Sequence, residues 1–147
     1  MTLVRMVADD VDDVLAIEET VFPYPWSRRN FLDSLVSGYD AWILRDEAHV
    51  VLGYFLIMMV LDEAHLLDIA VRLQHQGRGL GRSLMDQAVA IARNKAAVNL
   101  LLEVRPSNTR AIDVYQRYGF TQIGRRKSYY PAANNSREDA LLMSLSL

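Results

Sequence analysis

Between Val50 and Val60 apolar residues fill successive positions rather than alternate ones, and this run restricts the fold more than any other feature. Side chains of a strand point alternately to opposite faces, so apolar residues at both parities predict a strand covered on both sides. Extended through Leu61, the run is too short to cross a bilayer and carries Gly53. The chain therefore calls for a mixed sheet with helices on both of its faces.

The remaining pattern supplies those layers. Leu3 to Val7 predicts an opening strand, and Asp9 or Asp10 caps a helix with Val11, Val14, Ile17 and Val21 on one face. Phe22-Pro23-Tyr24-Pro25-Trp26 is a proline-broken aromatic loop that cannot continue that helix. Ser27 caps a second helix, which is expected to bury Phe31, Leu32, Leu35 and Val36 and to stop at Gly38. Strands follow at Ala41 to Leu44, Val50 to Val60 and His65 to Val71, then a polar, glycine-rich segment from Gln74 to Gly81. A helix emerges from it with Leu80, Leu84, Ala88 and Ile91 on one face. Asn99 to Arg105 predicts a strand and Ser107 to Tyr118 a helix ended by Gly119. Thr121 to Tyr130 and Asp139 to Leu147 are the last strands, flanking a polar loop from Pro131 to Glu138. The order β-α-α-β-β-β-α-β-α-β-β contains no repeat and no linker. At 147 residues the chain is expected to be one domain, residues 1–147, because neither half of it would hold a core.

Several function classes fall away. A net charge of −2, spread evenly, argues against direct nucleic-acid binding. Arg5, Asp9 and Asp10 interrupt the N-terminus before a signal-peptide core can form, so a cytoplasmic protein without membrane attachment is expected. The absence of cysteine removes any thiol nucleophile or thiolate metal site. His49, His65 and His75 have no metal-ligand spacing and are read as surface or loop residues, and no metal is expected.

The sharpest motif is Gln76-Gly77-Arg78-Gly79-Leu80-Gly81, set between a strand ending at Val71 and a helix running through Ile91. Alternating glycines let successive N–H groups point inward at a helix N-terminus, which forms an anion nest. Arg78 and Arg82 sit unfavourably beside the positive end of the helix dipole, and an anionic ligand would compensate them. A flexible glycine turn with solvated arginines is the plain alternative. No Lys-Ser or Lys-Thr follows the last glycine, which excludes a nucleotide P-loop, and the glycine spacing does not fit a dinucleotide fold.

Leu100-Leu101-Leu102-Glu103-Val104 is apolar on both faces except at Glu103. A carboxylate there is costly unless paired, solvated or used, so Glu103 is a strand-end acid, a partner of Arg105 or Arg126, or a general base. Tyr115 lies one turn beyond Ile112 on the apolar face of its helix and reads first as a core tyrosine. Asn108 reads first as an N-cap.

A resemblance shifts these readings. Gln76 to Gly81, following Ile69-Ala70-Val71, resembles the acetyl-CoA pyrophosphate loop of the GNAT superfamily of N-acetyltransferases, although that family often has proline where Leu73 stands. Leu102-Glu103-Val104-Arg105 with Ser107-Asn108, then Ala111-Ile112, Tyr115 and Gly119-Phe120, is similar to the second half of the same core. Pro25-Trp26-Ser27, Leu61-Asp62-Glu63-Ala64, Tyr129-Tyr130-Pro131 and Arg137-Glu138-Asp139-Ala140 extend the likeness over nearly the whole chain. They point to the branch that acetylates the N-terminal alanine of ribosomal small-subunit protein number eighteen. The resemblance implies a mostly antiparallel central sheet and acetyl-CoA as co-substrate. Ile69, Ala70 and Val71 would then pair with the pantetheine arm, and Gly77, Arg78, Gly79, Leu80, Gly81 and Arg82 would hold the pyrophosphate. Asn108 would be a further CoA contact, Glu103 the general base and Tyr115 the general acid, with a backbone N–H near Val71 holding the oxyanion. Trp26, Tyr130 and Asp139 would meet the peptide, and Glu19, Asp62, Glu63 and Asp139 would form an acidic mouth for a basic chain end.

Overall fold

In the computed structural model, which describes residues 1–147, the doubly apolar run becomes β3 (Val51–Val60). It lies between β2 (Asp40–Arg45) and β4 (Glu63–Val71). The others are β1 (Thr2–Arg5), β5 (Asn99–Val104), β6 (Thr121–Pro131) and β7 (Arg137–Ser146), in the sheet order β1-β2-β3-β4-β5-β7-β6. Every neighbouring pair is antiparallel except β4 with β5. The parallel pair is the one that needs a crossover, and α3 (Leu80–Asn94) supplies it.

The two faces of β3 feed two cores. Leu52, Phe55 and Ile57 pack with Leu84, Met85, Ala88 and Val89 of α3. Val51, Tyr54 and Leu56 pack with Val11, Val14 and Ile17 of α1 (Val11–Val21) and with Phe31 of α2 (Arg28–Val36). Each such large side chain contributes about 1.5–3 kcal/mol on burial. Gly53 is required for this layering, since a Cβ there would lie 2.7 Å from Ala70 O and 2.8 Å from Leu84 Cδ1. α4 (Thr109–Tyr118) covers the α3 side through Ala111, Ile112, Tyr115 and Tyr118, all only partly buried. No helix is long and apolar enough to cross a membrane.

Local chemistry sets the boundaries. Ser27 Oγ accepts the Asn30 N–H at 3.1 Å while Asn30 Oδ1 accepts the Ser27 N–H at 2.9 Å, a reciprocal cap that starts α2. Asp10 Oδ2 accepts the Val7 N–H at 2.8 Å, which turns the chain out of β1 earlier than the pattern predicts. Asn108 caps α4 through Ala111 N at 3.2 Å, so the helix begins at Thr109 rather than Ser107. Val36, expected in the core, is instead 89% exposed, because it is the last residue of α2 and points past the sheet just before Gly38 turns at φ +77°.

Candidate active site

The parallel ladder between β4 and β5 is short. Glu63, Ala64 and His65 pair with Asn99, Leu100 and Leu101, and there the register ends, although β4 continues to Val71 and β5 to Val104. Six residues of β4, Leu66 to Val71, thus have no strand partner on the β5 side. A bulge between Leu56 and Ile57 of β3 sets Leu67 outside the β3–β4 register and helps turn β4 away. The divergence leaves a passage between the two faces of the sheet.

On the α1/α2 side that passage opens into a cavity of about 170 Å³, lined by Trp26, His65, Leu66, Leu67, Leu101, Leu102, Glu103, Tyr129, Tyr130 and Leu142. It has room for an extended chain end with a small first side chain and not for a folded segment. Trp26 comes from the α1–α2 loop and Tyr129 and Tyr130 from β6, while β4 and β5 form the floor. Trp26 is held from below, since its N–H donates to Glu18 Oε2 at 3.0 Å and its ring packs on Phe31 at 5.1 Å.

Glu103 is the only carboxylate in that lining. Arg126 Nε approaches Glu103 Oε1 at 3.7 Å, a loose pair, while Oε2 is buried and accepts no hydrogen bond. A buried oxygen without a donor is unfavourable by itself and suits an incoming water or amine. Burial, and then the charge of Glu103, push the Tyr130 phenol above its ordinary value, so it remains a hydroxyl.

Tyr115 stands outside the lining, on α4 at the other face of the sheet, with its ring 5.8 Å from that of Phe120. Burial, with a smaller contribution from the charge of Asp68, pushes its phenol up to about 12. It is therefore protonated at neutral pH and able to donate. Glu103 and Tyr115 thus flank the divergence of β4 and β5 from opposite faces.

The glycine segment meets the demands of a large anion. Gly77 and Gly79 adopt φ +77° and +81°, and a Cβ added at either would meet nothing within 4 Å, so the surface above the N-terminus of α3 is open. Arg78 and Arg82 are exposed and carry no ion pair, although Arg82 lies 6.0 Å from the Tyr118 ring centroid. Gln76 Nε2 donates to Val71 O at 3.0 Å, which ties the loop to the end of β4. Ile69, Ala70 and Val71 lie on the unpaired length of β4, immediately before this loop.

Two expectations are corrected. His65 is no loop residue: it sits on β4, half-buried, in the same cavity as Glu103. His75 turns the chain before the glycine loop with a buried Nδ1, whereas His49 does occupy a turn. None of Glu19, Asp62, Glu63 and Asp139 lines the cavity, and Asp139 Oδ2 accepts from Arg125 at 2.9 Å and Oδ1 from Ser128 N at 2.8 Å. Asp62 and Glu63 lie at the start of β4, below His65. One buried group had no sequence signal. Asp68 is buried, and burial together with the neighbouring Glu18 holds its carboxyl well above the usual range. Leu66 packs on the α3 side and Ala70 on the α1/α2 side, so the bulge at Leu67 carries Asp68 to the face that holds Glu18 and Tyr54.

Comparison with known proteins agrees with this geometry. The sequence profile described as Acetyltransferase (GNAT) family matches residues 11–120. The [ribosomal protein bS18]-alanine N-acetyltransferase of Salmonella typhimurium is 34% identical over 146 residues, covering 99% of this chain and 97% of the relative. Its counterpart in Escherichia coli K12 is 32% identical over 146 residues with the same coverage. The crystal structure of the Escherichia coli ribosomal-protein-S18-alanine N-acetyltransferase superposes with a TM-score of 0.88 at 32% identity, covering 99% of this chain and 92% of the other. Ard1 from Thermoplasma volcanium superposes with a TM-score of 0.84 at 25% identity, covering 99% of this chain and 97% of the other.

Proposed function

Because this chain belongs to the GNAT acetyltransferase family, we propose that it transfers the acetyl group of acetyl-CoA to the N-terminal α-amine of a ribosomal small-subunit protein that begins with alanine. The observation that carries this reading is the Glu103 carboxylate, one oxygen unpartnered, at the floor of a small cavity walled by aromatic residues from the α1–α2 loop and β6.

Acetyl-CoA brings the activated thioester carbonyl that the amine attacks. The chain's own groups do the rest. The glycine loop and Arg78 and Arg82 bind the pyrophosphate, and the open length of β4 from Ile69 to Val71 lines the pantetheine arm. An N–H of that open edge near Val71 donates to the developing oxyanion. Glu103 takes the amine's proton, directly or through a water. Tyr115 holds a proton at Oη for the departing thiolate. An α-amine, with a reference pKa of about 7.7–8.0 against about 10.4 for lysine, is already partly neutral at physiological pH, so one carboxylate suffices as base. Trp26 and Tyr130 clasp the chain end. Asp139, which accepts hydrogen bonds from Arg125 and the Ser128 N–H, supports the β6–β7 hairpin beside the chain end.

The test is a paired assay by mass spectrometry. A peptide that starts with free alanine and continues with arginine and aromatic residues is the expected acceptor. The same peptide, with its α-amine blocked and a lysine added, is expected to be poor. Equal rates on the two would overturn the substrate, though not the acetyl transfer.

A further inference from the structure

Arg105 follows β5 directly and lies two residues beyond Glu103. Its guanidinium carbon is 4.4 Å from the ring centroid of Tyr24, on the α1–α2 loop, and 4.4 Å from that of Tyr130, on β6. The same group donates from Nη1 to Pro131 O at 2.7 Å and pairs with Glu138 Oε1 at 3.3 Å. Glu138 is itself fixed by the Ser107 N–H at 2.8 Å and the Ser107 hydroxyl at 2.9 Å. One side chain therefore touches three separate pieces of chain, and two of them carry the walls of the cavity: Tyr24 is two residues from Trp26, and Tyr130 is itself a lining residue.

This arrangement exceeds what the fold needs. Tyr24 is 44% exposed, and neither ring belongs to a core cluster. The ion pair with Glu138, whose side chains are 17% and 21% exposed, reaches β7 and does not touch the aromatic loop. A planar cation gripped between two rings is different, because each face is attracted by a ring quadrupole and the fork fixes the orientation. No hydrogen bond or ion pair joins the aromatic loop directly to the hairpin, so this sandwich is the polar link between them.

We propose that Arg105 is a positioning residue that spans the mouth of the cleft and holds the Trp26 loop and the Tyr130 hairpin at the separation that receives the acceptor chain. It acts on how tightly the peptide binds, not on how the acetyl group moves. The substrate half of this inference rests on the acceptor reading given above, while the mechanical half does not.

Two measurements on the full chain separate these halves. Hydrogen exchange, followed without any acceptor, should show Arg105→Ala speeding exchange in residues 22–27 and 128–138 together while α3 stays protected. Faster exchange in one segment only, in neither, or throughout the protein would refute the bridge. Steady-state kinetics with the alanine peptide should then show KM raised about ten-fold or more, as expected for two lost cation–π contacts, with kcat within about three-fold. The Kd for acetyl-CoA should be unchanged. Arg105→Lys, which keeps the charge and loses the fork, should fall between. Tyr24→Leu, at an exposed position that cannot unfold the protein, should raise KM in the same direction. An unchanged KM, or a parallel loss of acetyl-CoA affinity, would overturn the proposal. A wild-type enzyme inert toward the peptide would refute the acceptor reading and leave the exchange result to judge the bridge.

Discussion

The Tyr54 hydroxyl donates to Glu18 Oε1 at 2.7 Å, in a part of the core where both residues are almost fully buried. The second oxygen of the same carboxylate accepts the Trp26 N–H, so a core hydrogen bond and a wall of the substrate cavity share one anchor. Glu18→Ala would leave both donors unsatisfied, and we expect a loss of roughly 2–4 kcal/mol in denaturant unfolding. Glu18→Gln, which keeps an acceptor for Tyr54, should lose less than half of that. Equal losses would show that charge, not hydrogen bonding, is what Glu18 contributes.

Asp68 lies beside that carboxylate and is held protonated by burial first and by the proximity of Glu18 second. A raised carboxyl pKa stabilises the fold below the unfolded value, near 3.9 for aspartate, and the contribution is lost as pH rises toward the folded value. Asp68→Asn does not titrate and keeps a donor toward Glu18. Its melting temperature should therefore gain on the wild type steadily as pH is raised from 4 upward. A constant difference across that range would place the Asp68 proton elsewhere.

Glu103→Gln and Tyr115→Phe should each lower turnover by roughly ten- to ten-thousand-fold with acetyl-CoA affinity retained. The Gln variant should recover at high pH, where the amine deprotonates unaided, and a pH-independent loss would make Glu103 structural. Tyr115, at about 12, is stabilising below pH 10 and loses that contribution as pH climbs toward 12. Thermal melts of Tyr115→Phe should accordingly close on the wild type only above pH 10.

Gly79 stands at φ +81° with open space where a Cβ would be. Gly79→Val places a β-branched residue in a left-handed conformation, at a cost of about 1–2 kcal/mol, and sets its methyl groups where the phosphates would lie. Calorimetry should show acetyl-CoA binding weakened by at least about ten-fold in a folded protein. Wild-type affinity would dissociate this loop from the pyrophosphate.

Much of this was legible in the residues. The doubly apolar Val51–Val60 strand, the caps at Ser27 and Asn108 and the Gly77–Gly81 loop are local chemistry, and each appears where the pattern places it. Glu103 was legible as an oddity in an apolar strand but not as the sole carboxylate of a cavity, because that depends on where β4 leaves β5. Asp68 gave no signal because the bulge at Leu67 resets side-chain direction, which beyond it cannot be counted from the strand's start. His65 precedes that bulge, and its place in the cavity depends on the approach of Trp26 and Tyr130 from distant segments. Arg105 was visible only as a possible partner of Glu103, since its rings come from segments about eighty residues before it and twenty-five after it in sequence.

The unpartnered length of β4 also bears on how the protein survives when it is not working. Bare strand backbone presents donors and acceptors to any extended chain, including a second copy of itself. Coenzyme A seated along that edge would occupy those groups and add about 2.7 kcal/mol of stability at a hundred times its Kd. A protein without the coenzyme therefore forgoes that increment and leaves the edge open to pairing.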